Sequence, residues 1–199
     1  MGSTDYEFRT VWRVAGTPEE VAAVLGDATA MPRWWPSVYL SVEPVAGGPE
    51  PGPGMHRPVR LYTKGWLPYT LGWTLTVTEP VTARGFALTA AGDLNGTGRW
   101  TFEPDGPETV ITYDWRVNAA KPLLRRLSWL LKPGFAANHR WAMARGQESL
   151  ALELRRRRAA AGSASGRTAA GPAAVPPPPP PTFAWLTRRA ARTGTQTAA

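Results

Sequence analysis

Two strongly alternating stretches that run into one long helical stretch, between Gly96 and Leu154, constrain this chain more than any other feature. From Thr109 to Val117, the residues Ile111, Tyr113, Trp115 and Val117 fall on one face and Thr112, Asp114 and Arg116 on the other. That is the period of a half-buried strand. Gly98, Trp100 and Phe102 alternate in the same way with Thr97, Arg99 and Thr101, and Pro104-Asp105-Gly106-Pro107 supplies turn chemistry between the runs. The pair reads as a hairpin with an aromatic inner face. A single helix gripped by a curled antiparallel sheet seals poorly and tends to leave a cavity, so the lining of that inner face decides function.

Past Val117 the period changes. Leu123, Leu124, Leu127, Leu130 and Leu131 recur at helical spacing, and Pro133-Gly134 predicts a break or kink. A second helical segment is predicted from Phe135 to about Arg158, with Phe135, His139, Ala142, Gly146, Leu150 and Leu154 near one stripe. Gly146 costs a helix interior about 1 kcal/mol relative to Ala. Close approach of the sheet or a ligand would explain it.

Upstream, Tyr6, Phe8, Thr10, Trp12 and Val14 form one face of an opening strand. Thr17-Pro18-Glu19-Glu20 follows as a capping box, with Thr17 at the N-cap and Pro18 at the first helical position, which predicts a short helix to about Leu25. The prolines around Trp34-Trp35 prevent a long helix and place this segment at one end of the fold. Further strands are predicted near Val38–Val45, at Val59–Lys64, through Leu71–Val77 and around Phe86, Leu88 and Ala90, about seven in all. Thr70, Thr74, Thr76 and Thr78 form a row suited to a solvent-facing sheet surface.

The chain has 199 residues, enough for one ordinary core and a tail. Its net charge of +8 suggests nucleic acid until the charge is located. Eight of the 23 basic residues lie from Arg155 onward, where there is no Asp or Glu, which leaves 15 basic against 15 acidic residues in 1–154. A DNA-binding face is therefore not indicated. With no cysteine, disulfides, thiolate metal sites and cysteine nucleophiles are excluded. Only His56 and His139 exist, in no ligand-spaced cluster, so neither a metal nor another cofactor is expected. The N-terminus has no apolar signal region and no apolar run reaches the roughly 20 residues of a membrane span, which predicts a cytoplasmic location.

Residues 159–199, rich in Ala, Gly and Ser and carrying six consecutive prolines at 176–181, are predicted to be disordered, the proline run being a stiff spacer. Peripheral membrane contact could be made through the Arg-rich end of this tail or through the Leu123–Leu131 segment. The same tail would also suit an adaptor that recruits partners.

The opening strand, Thr17-Pro18-Glu19-Glu20, Trp34-Trp35-Pro36, Gly96-Thr97-Gly98-Arg99-Trp100, Thr112-Tyr113-Asp114-Trp115 and Asn138-His139-Arg140-Trp141 together resemble the START-like helix-grip superfamily, also called SRPBCC. More narrowly they resemble its polyketide cyclase/dehydrase-like branch, over about residues 5–158. The resemblance implies an α+β helix-grip fold: a curved antiparallel sheet of about seven strands wrapped around a long C-terminal helix, with short helices after the first strand. It also implies a cavity for a lipid, quinone or polyketide-like molecule, in members that range from carriers to aromatase/cyclases. Fold alone does not choose between them.

The expected lining follows the inner faces: Trp12 on the first strand, Leu61, Trp73 and Leu75 on the middle strands, Phe86 and Leu88 on the next. Trp100, Tyr113 and Trp115 come from the hairpin, His139 and Met143 from the helix, and Trp35 from the proline-bracketed segment. An indole serves equally in a core and in a pocket wall, so each of these tryptophans has both readings open. For catalysis, strand parity turns Arg99, Asp114 and Arg116 outward and leaves Tyr113 and His139, with Arg60 or Tyr62 as lesser candidates. That is a thin cast for enolate chemistry, which needs a base and an oxyanion donor together.

Overall fold

The computed structural model describes residues 5–47, 51–119, 128–164 and 174–183. Strand β1 (Asp5–Ala15) leads into helix α1 (Pro18–Leu25), a 3-10 turn at Ala28–Ala30 and the one-turn helix α2 (Met31–Trp34). Six strands follow: β2 (Tyr39–Pro44), β3 (Val59–Lys64), β4 (Thr70–Val77), β5 (Gly85–Gly92), β6 (Leu94–Asp105) and β7 (Glu108–Ala119). Helix α3 (Ser128–Ala164) ends the body. All seven strands form one antiparallel sheet in the order β1-β7-β6-β5-β4-β3-β2. This is the α+β helix-grip architecture that the resemblance implied.

Local chemistry explains the elements. Thr17 Oγ1 accepts from the Glu20 amide at 3.3 Å while Glu20 Oε2 accepts from the Thr17 amide at 2.9 Å, so the capping box closes on both sides. In the β6–β7 hairpin Asp105 pairs with Glu108, leaving Gly106-Pro107 as a two-residue turn, and Trp100 pairs with Tyr113. The threonine row on β4 is at least partly exposed, as its surface role requires.

Two expectations need correction. Pro133 does not break the terminal helix, which runs through it; near the N-terminus a missing N–H forfeits a single early bond. The helix also continues past Arg158 to Ala164, in keeping with the helix propensity of Ala159, Ala160 and Ala161. Leu123, Leu124 and Leu127 lie outside the described residues, as does the tail beyond Phe183, so the membrane-docking readings that rest on them stay with the sequence. Among the described residues, no helix is long and apolar enough to cross a membrane. Of the segment predicted to be disordered, the stretch 174–183 is described, and it lies against the body: the Pro176 carbonyl accepts from Arg156 at 3.0 Å.

The stripe along α3 divides by function. Its C-terminal half, with Leu150 and Leu154 both buried, packs into the core beside α1. At Gly146 a Cβ would stand 2.6 Å from Cη2 of Trp35, so the helix axis comes as close to the indole as a hydrogen side chain allows. The N-terminal half, from Phe135 to Met143, touches β1 through Phe135 and His139 and faces a cavity.

The arginine run at the end of this stripe serves the body. Glu153, 1% exposed, receives Arg33 of α2 in a bidentate pair at 2.7 and 3.2 Å, with Arg156 at 2.9 Å and Arg157 at 3.0 Å. Burial pushes its carboxyl up, but the bonds from Arg33, Arg157 and Arg156 outweigh this and hold it below the ordinary carboxylate range. Arg158 bonds Glu20 at 2.8 Å and the Ala15 carbonyl at 3.1 Å, and its guanidinium draws Glu20 down to about 2. Counting these arginines with the tail therefore understates the charge of the folded part.

Candidate functional site

The cavity, about 160 Å³, opens between the N-terminal half of α3 and the concave face of the sheet. Tyr6 and Phe8 line it from β1, Leu71 and Trp73 from β4, and Tyr113, Trp115 and Val117 from β7. Phe135, Asn138, His139, Ala142 and Met143 supply the helix side, and Trp35 with Tyr39 closes the end reached through α2.

Rings stack along the wall. Tyr113 lies flat on Trp100, with centroids 4.0 Å apart, and stacks on Trp115 at 5.7 Å. Trp73 stands 6.1 Å from Trp115 and is fixed by a bond from its Nε1 to Thr63 Oγ1 at 3.0 Å. Across the opening, Tyr6 packs on Phe135 at 5.6 Å, and Phe135 on Tyr69 at 6.2 Å. The rim is tied by Asn138, whose Oδ1 accepts from the Leu67 amide at 3.3 Å. Gly65 approaches the Asn138 amide so closely that no Cβ would fit.

The tyrosines and the histidine inside resist ionisation. Burial drives the Tyr113 hydroxyl well above its ordinary value, with Tyr39 nearby adding to it, and Tyr39 itself is raised by burial. Burial raises Tyr69 to about 12. His139 is pulled down to about 4 by desolvation first and by the positive charge of Arg140 second. It stacks on Phe8 at 4.1 Å and shares a 3.3 Å hydrogen bond between Nε2 and Thr10 Oγ1. The imidazole is neutral at physiological pH.

A pH dependence follows. His139 binds its proton in the unfolded chain near pH 6.5 but in the folded one only near 4, so the unfolded state holds more protons between these values. Stability is therefore lost as the pH falls through that window, by about 2 kcal/mol after allowance for partial exposure. Urea titrations at pH 7 and pH 4 should show this loss, and His139→Phe should reduce it; an equal loss in the variant would mean that the folded protein binds the His139 proton as readily as the unfolded chain does.

The predicted lining residues fall into three groups. Trp35, Trp73, Tyr113, Trp115, His139 and Met143 meet in the cavity. Leu75, Phe86, Leu88 and Trp100 border a separate void of about 40 Å³ deeper in the barrel, which Trp35, Tyr39, Trp73, Tyr113 and Met143 also touch. Trp12 and Leu61 are packed into the core, Trp12 with centroids 5.7 Å from Trp35 and 5.3 Å from Trp100. Arg60 is exposed and Tyr62 bonds Thr70 at 2.8 Å on the outer face, so neither joins Tyr113 and His139.

Sequence reasoning missed Tyr6, Phe8, Tyr39, Lys64, Tyr69, Phe135 and Asn138. Tyr6 and Phe8 share the parity of Trp12, which was signal enough. Lys64 carried none: its parity matches Arg60 and Tyr62, yet it is 2% exposed at the cavity mouth. Among the described residues, no group of three or more His, Asp or Glu is placed to hold a metal ion.

Residues 6–155 match the family described as polyketide cyclase/dehydrase and lipid transport. Similar folds occur in the Zhui aromatase/cyclase from Streptomyces sp. R1128, at 20% identity and a TM-score of 0.60, covering 79% of this chain and 98% of that one. A protein from Thermus thermophilus aligns at 18% identity and a TM-score of 0.58, covering 75% and 97%. Norcoclaurine synthase from Thalictrum flavum aligns at 14% identity and 0.51, covering 77% and 96%. At these identities the likeness is one of fold. No curated protein matches the chain by sequence.

Proposed function

The chain belongs to the polyketide cyclase/dehydrase and lipid transport family, and from that premise we propose that it binds and carries an apolar small molecule, of lipid, quinone or polyketide kind, between the sheet and α3. The observation that carries this reading is the composition of the cavity wall: stacked aromatic rings and apolar side chains, with few polar groups, of which Tyr113 and His139 are kept from ionising by burial and Lys64 is the charged one among the described residues. Such a wall gains from covering apolar surface at roughly 25 cal/mol per Å² and provides orienting groups sparingly.

Filling the cavity tests the proposal. Ala142 faces it from α3, and an indole there would occupy the space of a ligand. Ala142→Trp is expected to lower affinity for the neutral apolar dye Nile red at least tenfold while thermal unfolding remains cooperative. Native mass spectrometry of protein taken from its own cells is expected to show a co-purifying apolar molecule. If neither Nile red nor any lipid, quinone or polyketide in a panel binds, the proposal is wrong.

A cyclase reading is favoured by one observation: Tyr113 and His139 share a cavity, so a protonated hydroxyl could meet an enolate oxygen where a neutral imidazole takes a proton. A base with a pKa of about 4 is poorly matched to removing a proton next to a carbonyl near neutral pH. Carriage is the better supported of the two. Turnover of a poly-ketone that persists unchanged in Tyr113→Phe and His139→Ala would exclude these residues as its acid and base.

A further inference from the structure

The proline-rich tail returns to Lys64 and Gly65, which border the cavity, and covers Lys64, the one lysine among the described residues that lines it. From Pro176, bonded by Arg156 on α3, the chain runs through Pro181 to Thr182, whose Oγ1 donates to the Gly65 carbonyl at 3.2 Å. A proline run rises about 3.1 Å per residue, so residues 176–182 span roughly 19 Å. That is long enough, with the reach of Arg156, to run back along much of the roughly 27 Å of α3 between Arg156 and Asn138. At its end, Lys64 Nζ donates to the carbonyl and, at 2.7 Å, to the hydroxyl of Thr182, and lies 5.3 Å from the centroid of the Phe183 ring.

Both oxygen partners are neutral, whereas the group they satisfy is a cation 2% exposed beside an apolar cavity. A carboxylate would satisfy it better, because it adds an opposite charge that offsets the desolvation of the buried ammonium, which neutral oxygens do not supply. Two oxygens of the single residue Thr182 and the adjoining Phe183 ring also have the outline of an amphipathic ligand's end. We propose that residues 176–183 are a displaceable stopper at the cavity mouth, and that the ligand which displaces it is an apolar molecule ending in a carboxylate that pairs with Lys64. This rests on the carrier reading and adds to it the polar end of the cargo and a gate that belongs to the chain itself. Burial lowers the Lys64 pKa while the stopper is in place, as expected of an ammonium whose partners carry no charge.

The gate sets a measurable handicap. If the stopper occupies the mouth nine-tenths of the time, the apparent affinity for a competing ligand falls about tenfold. The test uses the full chain, the full chain with residues 176–183 replaced by an equal length of Gly and Ser, and Lys64→Met in each. Dodecanoate and dodecanol are titrated by calorimetry, with Nile red binding followed separately and Lys64 reactivity toward an acylating reagent followed by mass spectrometry.

Replacing the stopper is expected to tighten dodecanoate binding about tenfold, to raise Lys64 reactivity by a similar factor, and to tighten dodecanol less. Lys64→Met is expected to abolish the preference for acid over alcohol. Equal dodecanoate affinity with and without the stopper, in protein that binds Nile red, would overturn the gate and leave carriage standing. Preference for the alcohol would overturn the carboxylate. Failure of every form to bind Nile red and both chains would remove carriage and displacement together, while faster Lys64 acylation in the replaced form would still mark the contact as present.

Discussion

Glu153→Gln is expected to destabilise the folded chain by about 3 kcal/mol, a large share of the stability of a domain this size. Surface ion pairs are worth little, and the guanidiniums here are themselves partly exposed. The carboxylate differs in being 1% exposed and in holding both its oxygens on arginines from two elements. An amide of the same shape keeps the volume but loses the charge that makes each of these bonds strong, and turns a donor toward donors. The arginines relax partly into water, which places the cost at the lower end for a broken buried pair. Arg33→Gln should cost less, about 1 kcal/mol, because Arg156 and Arg157 still serve the carboxylate.

The pH dependence gives this prediction a second readout. The Glu153 pKa is held below its unfolded value, so its contribution is present above that unfolded value and is lost as the pH falls toward the folded one. Urea midpoints for the native chain and Glu153→Gln should therefore differ at pH 7 and converge on acidification. A difference that stays constant down to about pH 3 would mean that the carboxylate is not the source of the stability. Because Arg33 sits on α2 beside Trp34 and Trp35, the variant should also loosen the end of the cavity that Trp35 closes.

The parts of this molecule that could be read in advance are those in which one residue's chemistry decides one local outcome. Thr17 and Glu20 needed only each other to form the cap, and the alternation from Ile111 to Val117 needed only a sheet with one dry face. Parity also turned Arg99 and Asp114 outward correctly, where they are exposed or half-buried. It could not separate Trp73 from Trp12, which share an inner face, since one lines the cavity and the other packs in the core against Trp35 and Trp100. At Gly146, far along the chain from the last strand, α3 comes too close to the Trp35 indole for a Cβ, a contact that strand alternation does not reveal. Lys64 was hidden for a similar reason, because the groups its ammonium meets are Thr182 and Phe183, residues that composition assigns to a disordered tail. Long-range charge escaped as well: Glu153 and Arg33 lie 120 positions apart and no local pattern joins them.

Gly146→Ala inverts the usual effect of that substitution and locates what fixes the depth of the cavity. In an exposed helix the change gains about 1 kcal/mol through propensity. Here the new methyl would press on Cζ2, Cη2 and Cε2 of Trp35, an indole 2% exposed and itself packed against Trp12, Trp34 and Tyr39. Trp35 has no room to retreat and the strain falls on α3, so overpacking should cost about 2–3 kcal/mol and leave a net loss of about 1–2 kcal/mol. Trp35→Leu alone should cost more, about 3 kcal/mol, by opening a void between α2 and α3. In that background the added methyl meets no ring, and Gly146→Ala should become stabilising by up to about 1 kcal/mol. The coupling between the two sites is then about 2–3 kcal/mol, which denaturant unfolding of the four proteins would measure. Additive costs would show that Trp35 does not set the height of α3, and the space over Tyr113 and Trp115 would need another cause. If the coupling is found, Gly146→Ala should also widen the cavity by lifting α3, so that Nile red binds more tightly in the single variant than in the native chain while the double variant falls back toward it.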